Sequence, residues 1–143
     1  MKVVIVYFSR YGNGKKCVDC VDSALKNKGH EVQVINVAGA DPAQIPQADF
    51  YVFSGPAEQF GMATPLKTYM KAMPELAGKR YALINTHGLK KPRGQPRMEK
   101  FAGAKKMVKV AEIDFQVGKD AASGNGLPAD YQARLTQWAA ALG

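Results

Sequence analysis

The chain has 143 residues, of which 46% are hydrophobic and 22% are charged. These proportions are ordinary for one globular domain with a full core, and no apolar run approaches the roughly 18 residues that span a membrane. The net charge of +8 is uneven, because the segment from Lys79 to Lys109 holds ten basic residues and one acidic residue, or +9. Met1 and Lys2 lead directly into an apolar run, which leaves no room for a signal peptide, so we expect a cytoplasmic protein.

Strands and helices are predicted to alternate along the whole chain. The predicted strands are 3–8, 31–37, 50–53, 81–85 and 108–117. The first predicted helix runs through Val18, Val21 and Leu25, and the second is capped by Thr64 and has Pro65 at its first position. A basic helix is predicted over 95–106, and a last helix starts within 127–130 and runs through Leu142. The proline-rich stretch 41–46 is expected to be a loop with one helical turn. This alternation predicts a single domain, a three-layer α/β/α sandwich around a five-stranded parallel sheet.

Two cysteines, Cys17 and Cys20, have the spacing of a redox pair but fall inside the first predicted helix. We therefore expect them to be small packing residues of that helix. A zinc site would need two further ligands, and His30 and His87 lie on distant segments, so no metal is predicted.

The first strand and the loop behind it form the most informative stretch. The apolar run from Val3 to Phe8 shows no alternation, which is typical of a strand covered on both faces. It passes into a loop with Ser9, Tyr11 and Asn13, and a helix follows at once. Free backbone N–H groups, hydroxyls and a helix N-terminus together favour a bound phosphate.

The six residues Ser9-Arg10-Tyr11-Gly12-Asn13-Gly14 resemble the phosphate loop of flavodoxins, which reads Ser/Thr, any residue, Thr/Tyr, Gly, Asn and then usually Thr. Gly14 departs from that pattern, since the family normally supplies another hydroxyl there. The resemblance extends over essentially the whole length, and nothing interrupts the fifth strand, as in short-chain flavodoxins. It implies the flavodoxin-like strand order 2-1-3-4-5.

The resemblance implies that the chain binds FMN between three loops. The first loop would hold the phosphate through Ser9, Tyr11 and Asn13, and the loops 55–61 and 86–94 would enclose the isoalloxazine ring. The predicted cofactor-binding residues are Ser9, Arg10, Tyr11, Gly12, Asn13, Gly14, Lys15, Gly55, Pro56, Ala57, Glu58, Phe60, Gly61, Thr86, His87 and Gly88. Arg10 and Lys15 would add positive charge to the phosphate loop.

Several of these residues have a second interpretation that the sequence leaves open. Phe60 is the one aromatic residue of its loop and would stack on the ring, or else pack into the core. Glu58 would lie at the rim or simply in solvent. The third loop lacks the tyrosine that many flavodoxins stack on the flavin, so His87 or Leu89 would cover that face, unless His87 only caps its strand.

The resemblance implies a carrier that passes single electrons between redox proteins. Two alternatives remain: a small FMN-dependent NAD(P)H:quinone or flavin reductase, and a flavodoxin-like module that has lost FMN. The basic segment is expected to lie near the ring and to meet either an acidic partner protein or the phosphates of a nucleotide. We expect an acidic contact surface on the redox partner, a monomer, and no contact with membranes or nucleic acid.

Overall fold

The structure, a computed structural model, describes residues 1–58, 61–88, 94–118 and 120–142. The strands and α-helices within these ranges are β1 (Lys2–Tyr7), α1 (Asn13–Asn27), β2 (Glu31–Asn36), β3 (Phe50–Glu58), β4 (Gly61–Met62), α2 (Thr64–Ala72), β5 (Arg80–His87), α3 (Gly94–Ala104), β6 (Val108–Gln116) and α4 (Tyr131–Leu142). A short 3₁₀ turn at Pro42–Gln44 is the single turn predicted in the proline-rich loop, and a second lies at Ala121–Ser123.

Five parallel strands form the sheet in the order β2-β1-β3-β5-β6. This is the predicted 2-1-3-4-5 arrangement, because β4 is an additional two-residue strand that pairs antiparallel with the end of β3. After β1 the chain passes to β2, which flanks β1 on one side, and then to β3, which flanks β1 on the other side. The loops after β1 and β3 therefore diverge, and they open a crevice at the carboxyl edge of the sheet.

The sheet is covered on both faces, which explains the apolar run in β1. Val4 and Val6 pack into a cluster with α2 and α3, whereas Val3 and Ile5 pack into a cluster with α1 and α4. All four valine and isoleucine side chains are fully buried. Each contributes about 1.5–3 kcal/mol relative to exposure, so β1 is fixed firmly below the loop that it carries.

Several predicted boundaries differ from the observed ones, and three of the differences have a clear physical reason. The third strand runs to Glu58 rather than Phe53, because its end forms a hairpin with β4. The N-cap of α2 is Ala63 and not Thr64, since the Ala63 N–H is fixed to the Pro56 carbonyl at 3.2 Å and the helix starts directly behind it. The last helix begins at Tyr131, after a turn in which the Tyr131 N–H donates to the Pro128 carbonyl.

Within the described residues, part of the basic segment lies away from the crevice, contrary to expectation. Lys79 and Arg80 lie at the amino end of β5, and the loop before β6 holds Lys105 and Lys106. The length of β5 separates that end from the crevice by roughly 23 Å. Charges at this distance exceed the Debye length of about 10 Å at 0.1 M salt and act weakly on the crevice. Lys90, Lys91 and Arg93 lie outside the described residues.

The two cysteines are packing residues of α1, as predicted: Cys17 is buried in the cluster between α1 and the sheet, and Cys20 packs against that cluster. Burial raises the pKa of Cys17 to about 12, so this thiol stays protonated at neutral pH. Among the described residues, no group of three or more His, Cys, Asp and Glu side chains is placed to hold a metal ion. None of the helices in the described ranges is long and apolar enough to cross a membrane.

Candidate functional site

A cavity of about 520 Å³ lies at the carboxyl edge of the sheet, where the loops after β1, β3, β5 and β6 converge. Its lining residues are Ser9, Arg10, Tyr11, Asn13, Gly14, Pro56, Ala57, Glu58, Thr86, His87, Gly88, Val117 and Ala121. The three loops singled out in the sequence are thus brought together. Gly12, Lys15, Gly55 and Gly61 are not among the lining residues, and Phe60 lies outside the described residues.

The first loop leaves a helix N-terminus open toward the cavity. Gly12 is the N-cap of α1 with φ +100°, a left-handed conformation that favours glycine. The Gly12 N–H donates to Ser9 Oγ at 3.1 Å, which leaves the Ser9 hydroxyl proton free for another acceptor. In the described part of the chain no side chain caps α1. The N–H groups of its first turn, at Asn13 and Gly14, therefore remain available for an anion.

The side chain of Asn13 is engaged with the loop after β6 rather than with the cavity. Its Nδ2 donates to the Ala121 carbonyl at 2.8 Å, and its Oδ1 accepts from the Gly126 N–H at 3.0 Å. Gly124 lies so close to the phosphate loop that a Cβ atom there would stand 2.5 Å from the Tyr11 carbonyl oxygen. The loop after β6 is thereby fixed as a further wall of the cavity.

Both cations of the first loop are paired with carboxylates. The Arg10 guanidinium binds both carboxylate oxygens of Glu58, and its Nη2 donates to Glu58 Oε1 at 2.8 Å. The hydrogen bond and charge of Glu58 raise the pKa of Arg10. Lys15 instead pairs with Asp19, one turn further along α1, at 2.8 Å. With both charges neutralised, the donors facing the cavity are mainly hydroxyl and backbone groups.

The β3–β4 hairpin forms the second wall through Pro56, Ala57 and Glu58. Gly55 lies behind this wall, where a Cβ atom would stand 2.7 Å from Leu66 Cδ2, so its small size allows α2 to pack closely. Gly61 lies beside Arg97 of α3, with 3.6 Å between its Cβ position and Arg97 Cγ. Arg97, a cation of the basic segment, thus lies beside the β3–β4 hairpin.

The third loop begins with Thr86, His87 and Gly88. His87 is buried, and its Nε2 lies 2.7 Å from Asp114 Oδ2 on β6, which fixes the ring against the neighbouring strand. Two positions earlier on β5, the buried Asn85 donates from Nδ2 to the Gly55 carbonyl at 2.9 Å. The ends of β3, β5 and β6 are therefore joined by side chains directly below the cavity. Leu89 lies outside the described residues.

Val117 and Ala121 line the cavity but were not predicted from the sequence. They follow β6, the fifth strand of the sheet, whereas the predicted site comprises only the loops after strands one, three and four. The glycines at 118, 124 and 126 were a usable signal, since they mark a tight loop at the same edge of the sheet.

A family model described as a flavodoxin domain matches residues 4–121. The match covers β1 through β6 and most of the cavity wall. The chain belongs to the flavodoxin family. No curated protein sequence matches it.

Solved structures show the same fold in other flavodoxins. The flavodoxin of Megasphaera elsdenii has a TM-score of 0.77 at 18% identity, with 97% of this chain and 98% of that chain covered. Flavodoxin 1 of Bacillus cereus has a TM-score of 0.75 at 15% identity, with 98% and 95% covered.

A larger protein shares the fold as well. Rubredoxin oxygen:oxidoreductase from Desulfovibrio gigas has a TM-score of 0.82 at 13% identity, with 97% of this chain and 34% of that chain covered. The present flavodoxin chain thus spans about a third of the length of that oxidoreductase. At these identities the likeness shows the fold alone.

The donors of this flavodoxin chain fit the phosphate of a flavin nucleotide. The open N-terminus of α1 offers backbone N–H groups, and Ser9 and Tyr11 offer hydroxyls beside it. Pro56, Ala57 and Val117 supply apolar surface further along the same cavity. An anionic group at one end and an aromatic ring at the other would each meet suitable partners.

Proposed function

We propose that the protein binds FMN in the cavity at the sheet edge and carries single electrons between redox proteins. The observation that supports this most is the open N-terminus of α1 in a chain of the flavodoxin family. Backbone N–H groups there bind a phosphate, whereas riboflavin without phosphate would leave them unpaired.

The phosphate is held mainly by neutral donors in this proposal. The Ser9 hydroxyl accepts from Gly12 and donates to a phosphate oxygen, and Tyr11 adds a second hydroxyl from the exposed rim. Asn13 contributes its backbone N–H and Gly14 the next one, while the Asn13 side chain fixes the loop. The missing hydroxyl at Gly14 is thus compensated by backbone donors at the helix end.

The ring lies between the β3–β4 hairpin and the loop after β5. Pro56 and Ala57 exclude water from one side of the ring, and Val117 excludes water from the side that faces the sheet edge. We propose that Phe60 stacks on the ring from its own loop, and that His87, fixed by Asp114, supports the opposite side. FMN, when bound, supplies the one-electron chemistry; the chain binds, orients and partly shields it.

The redox partner in this proposal presents an acidic contact surface to the crevice. Arg97 lies beside the hairpin, and Lys90, Lys91 and Arg93 follow His87 closely in sequence. Complementary charge of this kind increases the association rate more than the affinity. The positive charge at the amino end of β5 is too far away to share this contact.

An anaerobic reduction experiment distinguishes a carrier from an enzyme. FMN-loaded protein is reduced stepwise with dithionite, and its turnover with NADH or NADPH and a quinone is measured separately. A carrier gives two resolved one-electron stages and negligible nucleotide oxidation. Steady nucleotide oxidation at enzyme-like rates, with a single two-electron stage, would instead support the reductase alternative.

A further inference from the structure

One ion pair links the two loops on either side of the cavity. Arg10 belongs to the loop after β1, and Glu58 is the last residue of β3 in the hairpin. Two guanidinium nitrogens of Arg10 bind the two carboxylate oxygens of Glu58. Both residues also line the cavity. The pair therefore spans the space between two of its walls.

Contacts outside the ion pair hold both Arg10 and Glu58 in position. The Arg10 guanidinium carbon lies 5.1 Å from the ring centroid of Phe8, and Phe8 is itself packed against the core. Glu58 is fixed by the hairpin, where it pairs with Gly61. An exposed ion pair is usually weak because two flexible side chains must be ordered. Two anchored partners with bidentate geometry lose less freedom on pairing.

We propose that Arg10 and Glu58 form a positioning pair that ties the phosphate loop to the β3–β4 hairpin and thereby slows the release of the flavin. This inference rests on the proposed function. Because the pair bridges two cavity walls, the loops separate freely only when the pair opens. Each partner then acts through the other, and removal of either has the same effect as removal of both.

A direct charge contact with the phosphate would give a different pattern. If Arg10 bound the phosphate, Arg10→Gln would weaken FMN binding, whereas Glu58→Gln would free Arg10 and strengthen binding. A positioning pair makes both substitutions act in the same direction. The sign of the Glu58→Gln effect therefore separates the two roles without any reference protein.

The test measures the dissociation rate of FMN from the wild type, Arg10→Gln, Glu58→Gln, the double variant and the exchanged pair Arg10→Glu with Glu58→Arg. We expect the rate to rise about two- to five-fold in each single variant, the modest effect typical of a partly exposed ion pair. The double variant should be no faster than either single one, and the exchanged pair should recover part of the difference. Added salt should accelerate release from the wild type but not from the double variant.

Matched controls remove one positive or one negative charge from an ion pair far from the cavity. Lys106 and Glu75 form an ion pair at 3.4 Å near the amino edge of the sheet, with both side chains more than half exposed. Lys106→Gln and Glu75→Gln change the net charge equally but should leave FMN release unchanged. Opposite signs for the two cavity variants, or rates no different from these controls, would overturn the positioning pair.

A second readout needs no flavin. In the apoprotein, amide hydrogen exchange of the hairpin over 54–62 should be faster in Arg10→Gln and Glu58→Gln than in the controls, because the hairpin loses its tie to the phosphate loop. Unchanged exchange would contradict the tie itself. A wild-type apoprotein that binds no FMN would refute the proposed function, and the exchange result would still decide whether the pair joins the loops.

Discussion

Replacing Ser9 with alanine should weaken FMN binding by about 10- to 150-fold and leave riboflavin binding nearly unchanged. The Ser9 hydroxyl accepts from the Gly12 N–H and has its proton free for a phosphate oxygen. Hydrogen bonds to a charged group contribute about 1.5–3 kcal/mol each. Riboflavin lacks the phosphate and cannot lose this contact. Both dissociation constants are measured by flavin fluorescence quenching on the apoprotein.

Ser9→Thr is the matched control for this prediction, because it retains the hydroxyl and should lose far less affinity than Ser9→Ala. An equal loss for FMN and riboflavin in Ser9→Ala would place the phosphate elsewhere and contradict the assignment.

Replacing Gly124 with alanine should destabilise the protein by about 2–5 kcal/mol. Gly124 has φ +80°, which costs an alanine about 1–2 kcal/mol. Its Cβ atom would also stand 2.5 Å from the Tyr11 carbonyl oxygen, and relieving such overpacking costs typically 1–3 kcal/mol more. The backbone of the phosphate loop must move to make room, so FMN affinity should fall with stability. Urea unfolding and FMN titration measure the two effects.

Gly78 supplies a control with the same backbone conformation. It has φ +76°, and a Cβ atom there would meet nothing within 4 Å. Gly78→Ala should therefore show the conformational cost alone, about 1–2 kcal/mol, with FMN affinity retained. Equal losses of stability and of FMN affinity in both variants would mean that the loop after β6 moves easily and does not support the phosphate loop.

The sequence pattern predicted the alternating strands and helices, and the resemblance to flavodoxins predicted the strand order, which the structure confirms. The unbroken apolar run of β1 indicates a strand buried on both faces, and helices do cover both faces, while β2 and β3 flank the strand within the sheet. The two-residue strand β4 could not be predicted, since Gly61 and Met62 give no periodic signal and pair only because β3 extends to Glu58.

The roles of individual polar side chains were harder to predict, because their partners are distant in sequence. Asn13 contacts Ala121 and Gly126, more than a hundred positions further on. His87 on β5 likewise contacts Asp114 on the adjacent strand β6. A loop motif names the residues that are close together in sequence, whereas the bonds of Asn13 depend on the packing of the loop after β6 and the contact of His87 depends on the register between β5 and β6. The basic segment was hard to place for a related reason, since Lys79, Arg80, Lys105 and Lys106 are brought to the amino edge of the sheet by the strands that follow them.

The proposed function requires that the cavity binds FMN through its phosphate group. Titration of the apoprotein with FMN, riboflavin and inorganic phosphate, followed by flavin fluorescence and calorimetry, tests it most directly. We expect one FMN per chain, clearly weaker binding of riboflavin, and competition between inorganic phosphate and FMN. FMN and riboflavin binding with equal affinity, or no flavin binding at all, would contradict it.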